Sequence, residues 1–143
     1  MDINSLVKKS ILARENAYVP YSNFMVGAAL MAKNGKIYTG CNLENAAYSP
    51  GICAERTAFA KAVSEGEREF CAIAVAGWAK GDTRKVQAFP CGVCRQVMRE
   101  FCTGDFKIII ANGAGGDFTE HTLEELLPNG FGPESLDDGT QIS

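Results

Sequence analysis

The period of apolar positions along the chain changes several times, and each change marks an element. From Ile3 to Tyr18, apolar side chains at Leu6, Ile11, Leu12 and Ala13 recur among charged and polar residues, which predicts a first helix. Asn4 or Ser5 is placed to cap it, and Pro20 opens a turn at Pro20-Tyr21-Ser22-Asn23. Val26 to Ala32 is a continuous apolar run, the mark of a buried strand. Asn34-Gly35 within Lys33-Lys36 is a hairpin signal, and Ile37 to Cys41 reads as the returning strand. Asn42 to Ile52 is irregular. Cys53 to Glu65 is rich in helix formers and is followed by Gly66, a C-terminal stop. Ala72 to Trp78 predicts a short buried strand, Ala79 to Phe89 a polar loop, and Cys91 to Phe101 a helix. Phe106 to Ala111 carries three consecutive isoleucines and reads as a strand. Leu123 to Leu127 is a brief helix, and a glycine-containing tail runs from Pro128.

The resulting order, α-β-β-α-β-α-β-α, predicts an α/β fold: a central mixed sheet with helices packed on its faces. No repeat or linker interrupts it, so residues 1–143 are expected to form a single domain. At 46% hydrophobic content such a chain buries a core without disulfides. A net charge of -3 gives no basic field for nucleic acid and favours a small or neutral substrate. The first residues, Met-Asp-Ile-Asn-Ser-Leu-Val-Lys-Lys, have no apolar signal core, and no window approaches a membrane-spanning run. A cytosolic location is expected, where the six cysteines stay reduced and clustered ones more often bind metal.

Two of the predicted helices begin with cysteine. Cys53-Ala54-Glu55 offers a thiolate with a carboxylate two residues on, and Pro90-Cys91-Gly92-Val93-Cys94 offers two thiolates three residues apart. A helix N-terminus carries partial positive charge and favours the thiolate. Cys91 and Cys94 share one helix face. Three sulfurs fill three positions of a tetrahedral zinc and leave the fourth for water, the layout of a hydrolytic site. Glu55 flanks that position as an unligated proton carrier. Zinc with three thiolates leaves a site of charge -1, which weakens the acidity of its water. Arg56, three residues after Cys53, is placed to restore near neutrality from outside the ligand set.

Taken singly, each residue has a plainer reading. Cys-x-x-Cys also occurs in redox motifs and in structural zinc sites. A closed structural site needs a fourth ligand from Cys41, Cys71, Cys102 or His121. The first three are expected in the core, and His121, the only histidine, at the surface or in a cap. Glu55 and Arg56 fit an exposed first turn, Asn42 and Glu44 fit a turn, and Phe24 and Phe131 fit a core.

The joined motifs resemble the small zinc-dependent cytidine deaminases that act on free nucleosides. The resemblance extends from Tyr18-Val19-Pro20-Tyr21-Ser22-Asn23-Phe24 to Leu126-Leu127-Pro128-Asn129-Gly130-Phe131. Its most specific blocks are Gly40-Cys41-Asn42-Leu43-Glu44-Asn45-Ala46-Ala47-Tyr48 and Cys53-Ala54-Glu55-Arg56-Thr57-Ala58. It implies a three-layer cytidine deaminase-like fold with a central mixed five-stranded sheet and helices on both faces. It implies one zinc per subunit on Cys53, Cys91 and Cys94, with Glu55 as the catalytic proton shuttle. Asn42 and Glu44 would hold the ribose, Phe24 would pack on the base, and the backbone of Ala54 would meet the pyrimidine edge. The family assembles as homotetramers, so Ala46, Tyr48 and Phe131 would serve a neighbour's pocket, with a tail over about residues 128–143 covering the active site. The first ligand in the wider deaminase signature is histidine; Cys53 in its place points to the all-cysteine branch. The segment Trp78 to Gln87 is the least family-like.

The activity so implied is hydrolysis of cytidine and deoxycytidine to uridine and deoxyuridine with release of ammonia, in pyrimidine salvage, with no organic cofactor. Three rivals are a deaminase of another aminated nucleoside-like compound such as a drug or antibiotic, a nucleic-acid base editor, and a zinc module without catalysis. The Asn42 and Glu44 pair argues for a nucleoside, and the negative charge argues against a polynucleotide.

Overall fold

The computed structural model describes residues 2–136. Helices α1 (Ile3–Ala13), α2 (Ala54–Ser64), α3 (Gly92–Phe101), α4 (Leu123–Leu126) and α5 (Pro133–Leu136) accompany five strands. These are β1 (Phe24–Ala32), β2 (Ile37–Cys41), β3 (Phe70–Ala79), β4 (Lys107–Ala111) and β5 (Phe118–Thr122). They form one sheet in the order β2-β1-β3-β4-β5. β3 and β4 are parallel, and every other pairing is antiparallel. The sheet is therefore mixed and five-stranded, as expected.

Alternation along the strands makes three layers. Ala28, Leu30, Ile73, Val75, Ile108 and Ile110 face α2 and α3, together with Phe59, Cys94 and Met98. Ala29, Ala72, Ala74 and Ile109 face the other way, onto Leu6 and Val7 of α1. Small residues let helices approach closely. A Cβ on Gly27 would lie 2.1 Å from the Ser10 carbonyl oxygen. On the other face, a Cβ on Gly40 would lie 2.6 Å from both the Ala54 oxygen and the Ala58 nitrogen. Gly40 thus seats the first turn of α2 against β2.

The placement of α2 and α3 follows from two α-then-β units side by side. α2 leads into β3 across residues 65–69, and α3 leads into β4 across residues 102–106. Because β3 and β4 are parallel, both helices point their N-termini to the same end of the sheet. That end lies at the carboxyl ends of the parallel pair, where open α/β sheets place their ligands.

Several boundaries differ from the sequence expectation. α1 ends at Ala13, and a 3-10 turn covers Arg14–Asn16 where helix was expected to Tyr18. Arg14 is the reason: its guanidinium donates to the Met25 and Trp78 carbonyls at 3.3 and 3.1 Å and lies 3.8 Å from the Trp78 ring centroid. The cap is Asp2, which accepts from the Ser5 amide, instead of Asn4 or Ser5. β1 and β3 run past their apolar runs because each completes the other's antiparallel ladder from Phe24 to Ala79. β5 was absent from the periodicity reading, since Phe-Thr-Glu-His-Thr is a polar edge strand with no apolar run. α5 is a single turn where a tail was expected, and residues 137–143 of that tail lie outside the described residues.

Replacing Gly40 with Ala should overpack the α2–β2 contact and lower the unfolding free energy by about 1–3 kcal/mol. Urea titration of both proteins checks this; equal midpoints and slopes would show that α2 has room to shift.

Candidate active site

Cys53 is the N-cap residue of α2 and Cys91 the N-cap residue of α3, with Cys94 in the first turn of α3. Neither cap has a side-chain hydrogen bond to the helix, so both thiols are left for other partners. The Cys53 and Cys91 sulfurs are 3.9 Å apart, and those of Cys91 and Cys94 are 3.6 Å apart. A tetrahedral zinc with Zn–S near 2.3 Å requires sulfurs about 3.8 Å apart. The donor set fits that metal in spacing and in softness. Among the described residues, the cluster of potential metal ligands has three members, and all three ligand atoms lie within 4.8 Å of one another. None of Cys41, Cys71, Cys102 and His121 joins it, so among the described residues no fourth member completes the set.

The sulfurs are electrostatically coupled. The Cys53 thiol is held down at about 5, chiefly by the hydrogen bond from Cys94 and further by Arg56, against the opposing effect of burial. Cys94 is pushed up by its bond to Cys53, by burial and by Glu55. Arg56 Nη2 donates to the Cys53 sulfur at 3.5 Å, so the guanidinium lies where the charge argument required it. Its Nε is buried with no partner among the described residues.

Glu55 is 4% exposed and projects from α2 without joining the cluster. Burial pushes its carboxyl up to about 7. A cation on the sulfurs acts in the opposite sense and favours the carboxylate. Glu55 and Ala54 line a cavity of about 150 Å³ with Cys53, Cys91, Phe24 and Asn42. A larger cavity of about 690 Å³ adjoins it, sharing Asn42 and Cys53 and bordered by Glu44, Ala46, Tyr48 and Arg56.

Asn42 and Glu44 both brace the segment carrying Phe24. The Asn42 Oδ1 accepts the Val26 amide at 2.9 Å, while its Nδ2 donates to the Phe24 carbonyl at 2.9 Å. The Glu44 Oε1 accepts the Tyr21 and Ser22 amides, each at 3.0 Å. Hydrogen bonding from Ser22, then Tyr21, holds the Glu44 carboxyl below its ordinary range. The Asn42 side-chain amide makes one donated bond, to the Phe24 carbonyl, and Glu44 borders the larger cavity.

With this geometry, residues 1–110 match the cytidine and deoxycytidylate deaminase zinc-binding region. The chain belongs to this deaminase family. A cytidine deaminase of Sporosarcina psychrophila is 52% identical, spanning 95% of this chain and 96% of its own length. One from Halalkalibacterium halodurans is 51% identical, spanning 96% and 100%. The crystal structure of cytidine deaminase from Burkholderia pseudomallei superposes with a TM-score of 0.82 at 44% identity, covering 92% of this chain and 100% of that one.

Within this deaminase-family chain, Phe131 lines neither cavity. It is 58% exposed, and its carbonyl accepts Gln96 Nε2 at 2.8 Å. α4 docks on α3 through Arg95 to the Leu126 carbonyl, and the described part of the tail docks through Gln96 to Phe131 and Arg99 to Glu134. Tyr48 is 98% exposed. Sequence reasoning missed Val26, Val75, Ala88 and Phe89, which complete the smaller cavity. Their apolar character looks like core in a sequence; the position of Phe89, directly before Pro90-Cys91, was the available signal.

Cys53→Ala, Cys91→Ala and Cys94→Ala should each abolish stable zinc binding, whereas Cys71→Ala and Cys102→Ala should retain one zinc per chain. Elemental analysis of the purified proteins checks this. Retention of zinc by the Cys53 variant would exclude that sulfur from the ligand set.

Proposed function

We propose that this chain is a zinc-dependent cytidine and deoxycytidine deaminase that releases uridine or deoxyuridine and ammonia. The observation that carries this reading is one juxtaposition. Three sulfurs within 4.8 Å of one another accompany a buried, unligated carboxylate, and Cys53, Cys91 and Glu55 line a cavity of about 150 Å³ next to Asn42.

Cys53, Cys91 and Cys94 hold the zinc, which when bound supplies the Lewis acidity that activates water near neutral pH. Glu55 takes a proton from the attacking water and places it on N3 of the cytosine ring, turning C4 into an electrophile. It then takes the proton of the new C4 hydroxyl and passes it to the departing amino group, which leaves as ammonia as the C4 carbonyl forms. Water enters at C4 and ammonia leaves, so no organic cofactor takes part. Burial keeps Glu55 from exchanging protons freely with solvent. Arg56 offsets the surplus negative charge of the thiolates, which otherwise makes water a weaker acid.

The Asn42 side-chain amide and the Glu44 carboxylate, both bordering the larger cavity, hold the ribose hydroxyls. Phe24 packs on the base, and the Ala54 backbone meets its edge. Ala46, Tyr48 and Phe131 serve adjoining subunits of a homotetramer, with the tail from about residue 128 covering a neighbouring site. The exposure of Tyr48 and Phe131 supports that assembly. No helix among the described residues is long and apolar enough to cross a membrane. A cytoplasmic salvage role fits these features. The net charge of -3 argues against a polynucleotide substrate.

Glu55→Ala should keep its zinc and lose about 10²–10⁴-fold or more in kcat for cytidine, followed by the ultraviolet change on uridine formation. A near-normal rate in that variant would sink the mechanism. Arg56→Gln should lower turnover or zinc retention by about 10–100-fold. Equal kcat and equal metal content in wild type and variant would remove Arg56 from the account.

A further inference from the structure

The segment leading into Cys91 closes one side of the smaller cavity. Ala88 and Phe89 line it, whereas Phe24, Val26 and Val75 reach it from the sheet. A cytosine ring with C4 at the sulfurs and N3 at Glu55 turns its C5 edge away from Glu55. Ala88 and Phe89 are the lining residues that lead directly into Cys91. Ala88 packs closely over Gly77 of β3, where a Cβ would come within 2.7 Å of the Ala88 Cβ. Phe89 is 42% exposed, so it is a rim residue with one side in the cavity, not a core residue.

An edge strand holds Phe89 in place. The His121 ring of β5 packs against it at 5.0 Å between centroids and 66° between planes. His121 is itself fixed, because its Nε2 lies 2.8 Å from the Thr119 hydroxyl, which accepts from Gln87 Nε2 at 3.0 Å. Gln87 belongs to the same segment as Phe89, so the chain of contacts closes on itself.

We propose that Phe89 is a specificity-determining wall that excludes bulky substituents at C5 of the pyrimidine, and that His121 is the positioning residue that keeps the wall upright. The inference rests on the cytidine reading, and its substrate class is the C5-substituted cytidines.

The test compares kcat/KM for 5-iodocytidine with that for cytidine, using zinc-loaded full-length protein. Phe89→Ala should raise that ratio by about tenfold or more, the scale on which apolar pockets discriminate by size. His121→Ala should move it the same way through KM, and His121→Phe, which keeps a ring against Phe89, should restore it. Phe89→Leu gives a second reading if the alanine variant does not fold. A ratio within about twofold of wild type in the folded Phe89 variants overturns the proposal. Lack of cytidine turnover in wild type would strike the parent reading instead. The wall is then judged by calorimetric Kd for 5-iodouridine against uridine: a tighter relative Kd in Phe89→Ala supports it, and an unchanged one overturns it.

Discussion

Three thiol sulfurs within 4.8 Å of one another repel when ionised, so something must hold them together. The backbone does this. Cys53 and Cys91 each begin a helix, and the two helices run side by side because each feeds one of two adjacent parallel strands. Their N-termini converge at one end of the sheet with their partial positive charges directed at the sulfurs. Arg56 adds a full positive charge at 3.5 Å from one sulfur. Register errors in β3–β4, or displacement of α2 from β2, would separate the sulfurs and remove the centre.

The same arrangement decides what Glu55 can do. A residue two positions after Cys53 on a buried helix turn faces a cavity, not solvent. It is too far around the helix to join the ligands and too buried to exchange protons at large. Its neighbours Phe24 and Asn42 belong to another part of the chain. They arrive because β1 lies beside β3 and because Asn42 ties its side chain to both sides of Met25. Asn42 and Glu44 thus brace the segment that carries Phe24, and both border the larger cavity.

Size selection comes from parts remote in sequence. Ala88 and Phe89, before the second cysteine motif, line one cavity, with Gly77 of a central strand under Ala88 and His121 of the polar edge strand against Phe89. No periodicity links these residues. The least apolar strand of the sheet thus contributes to the site through its one imidazole.

Much was legible in the chain before folding. The hairpin at Asn34-Gly35, the isoleucine strand and the two cysteine-headed helices follow from local spacing, because helices and turns are set by neighbours within a few residues, and ligand chemistry alone suggested joining Cys53 with Cys91 and Cys94. The polar strand β5, the 3-10 turn at Arg14 and the cavity role of Phe89 were not legible. Each depends on a partner outside its own segment: Ile109 and its neighbours in β4 for β5, Trp78 and Met25 for Arg14, His121 for Phe89. Residue types and their order determined which chemistry this chain carries. Packing alone decided where the sulfurs meet, which carboxylate is dry and how wide the cavity is, because those are distances between segments that no local rule constrains.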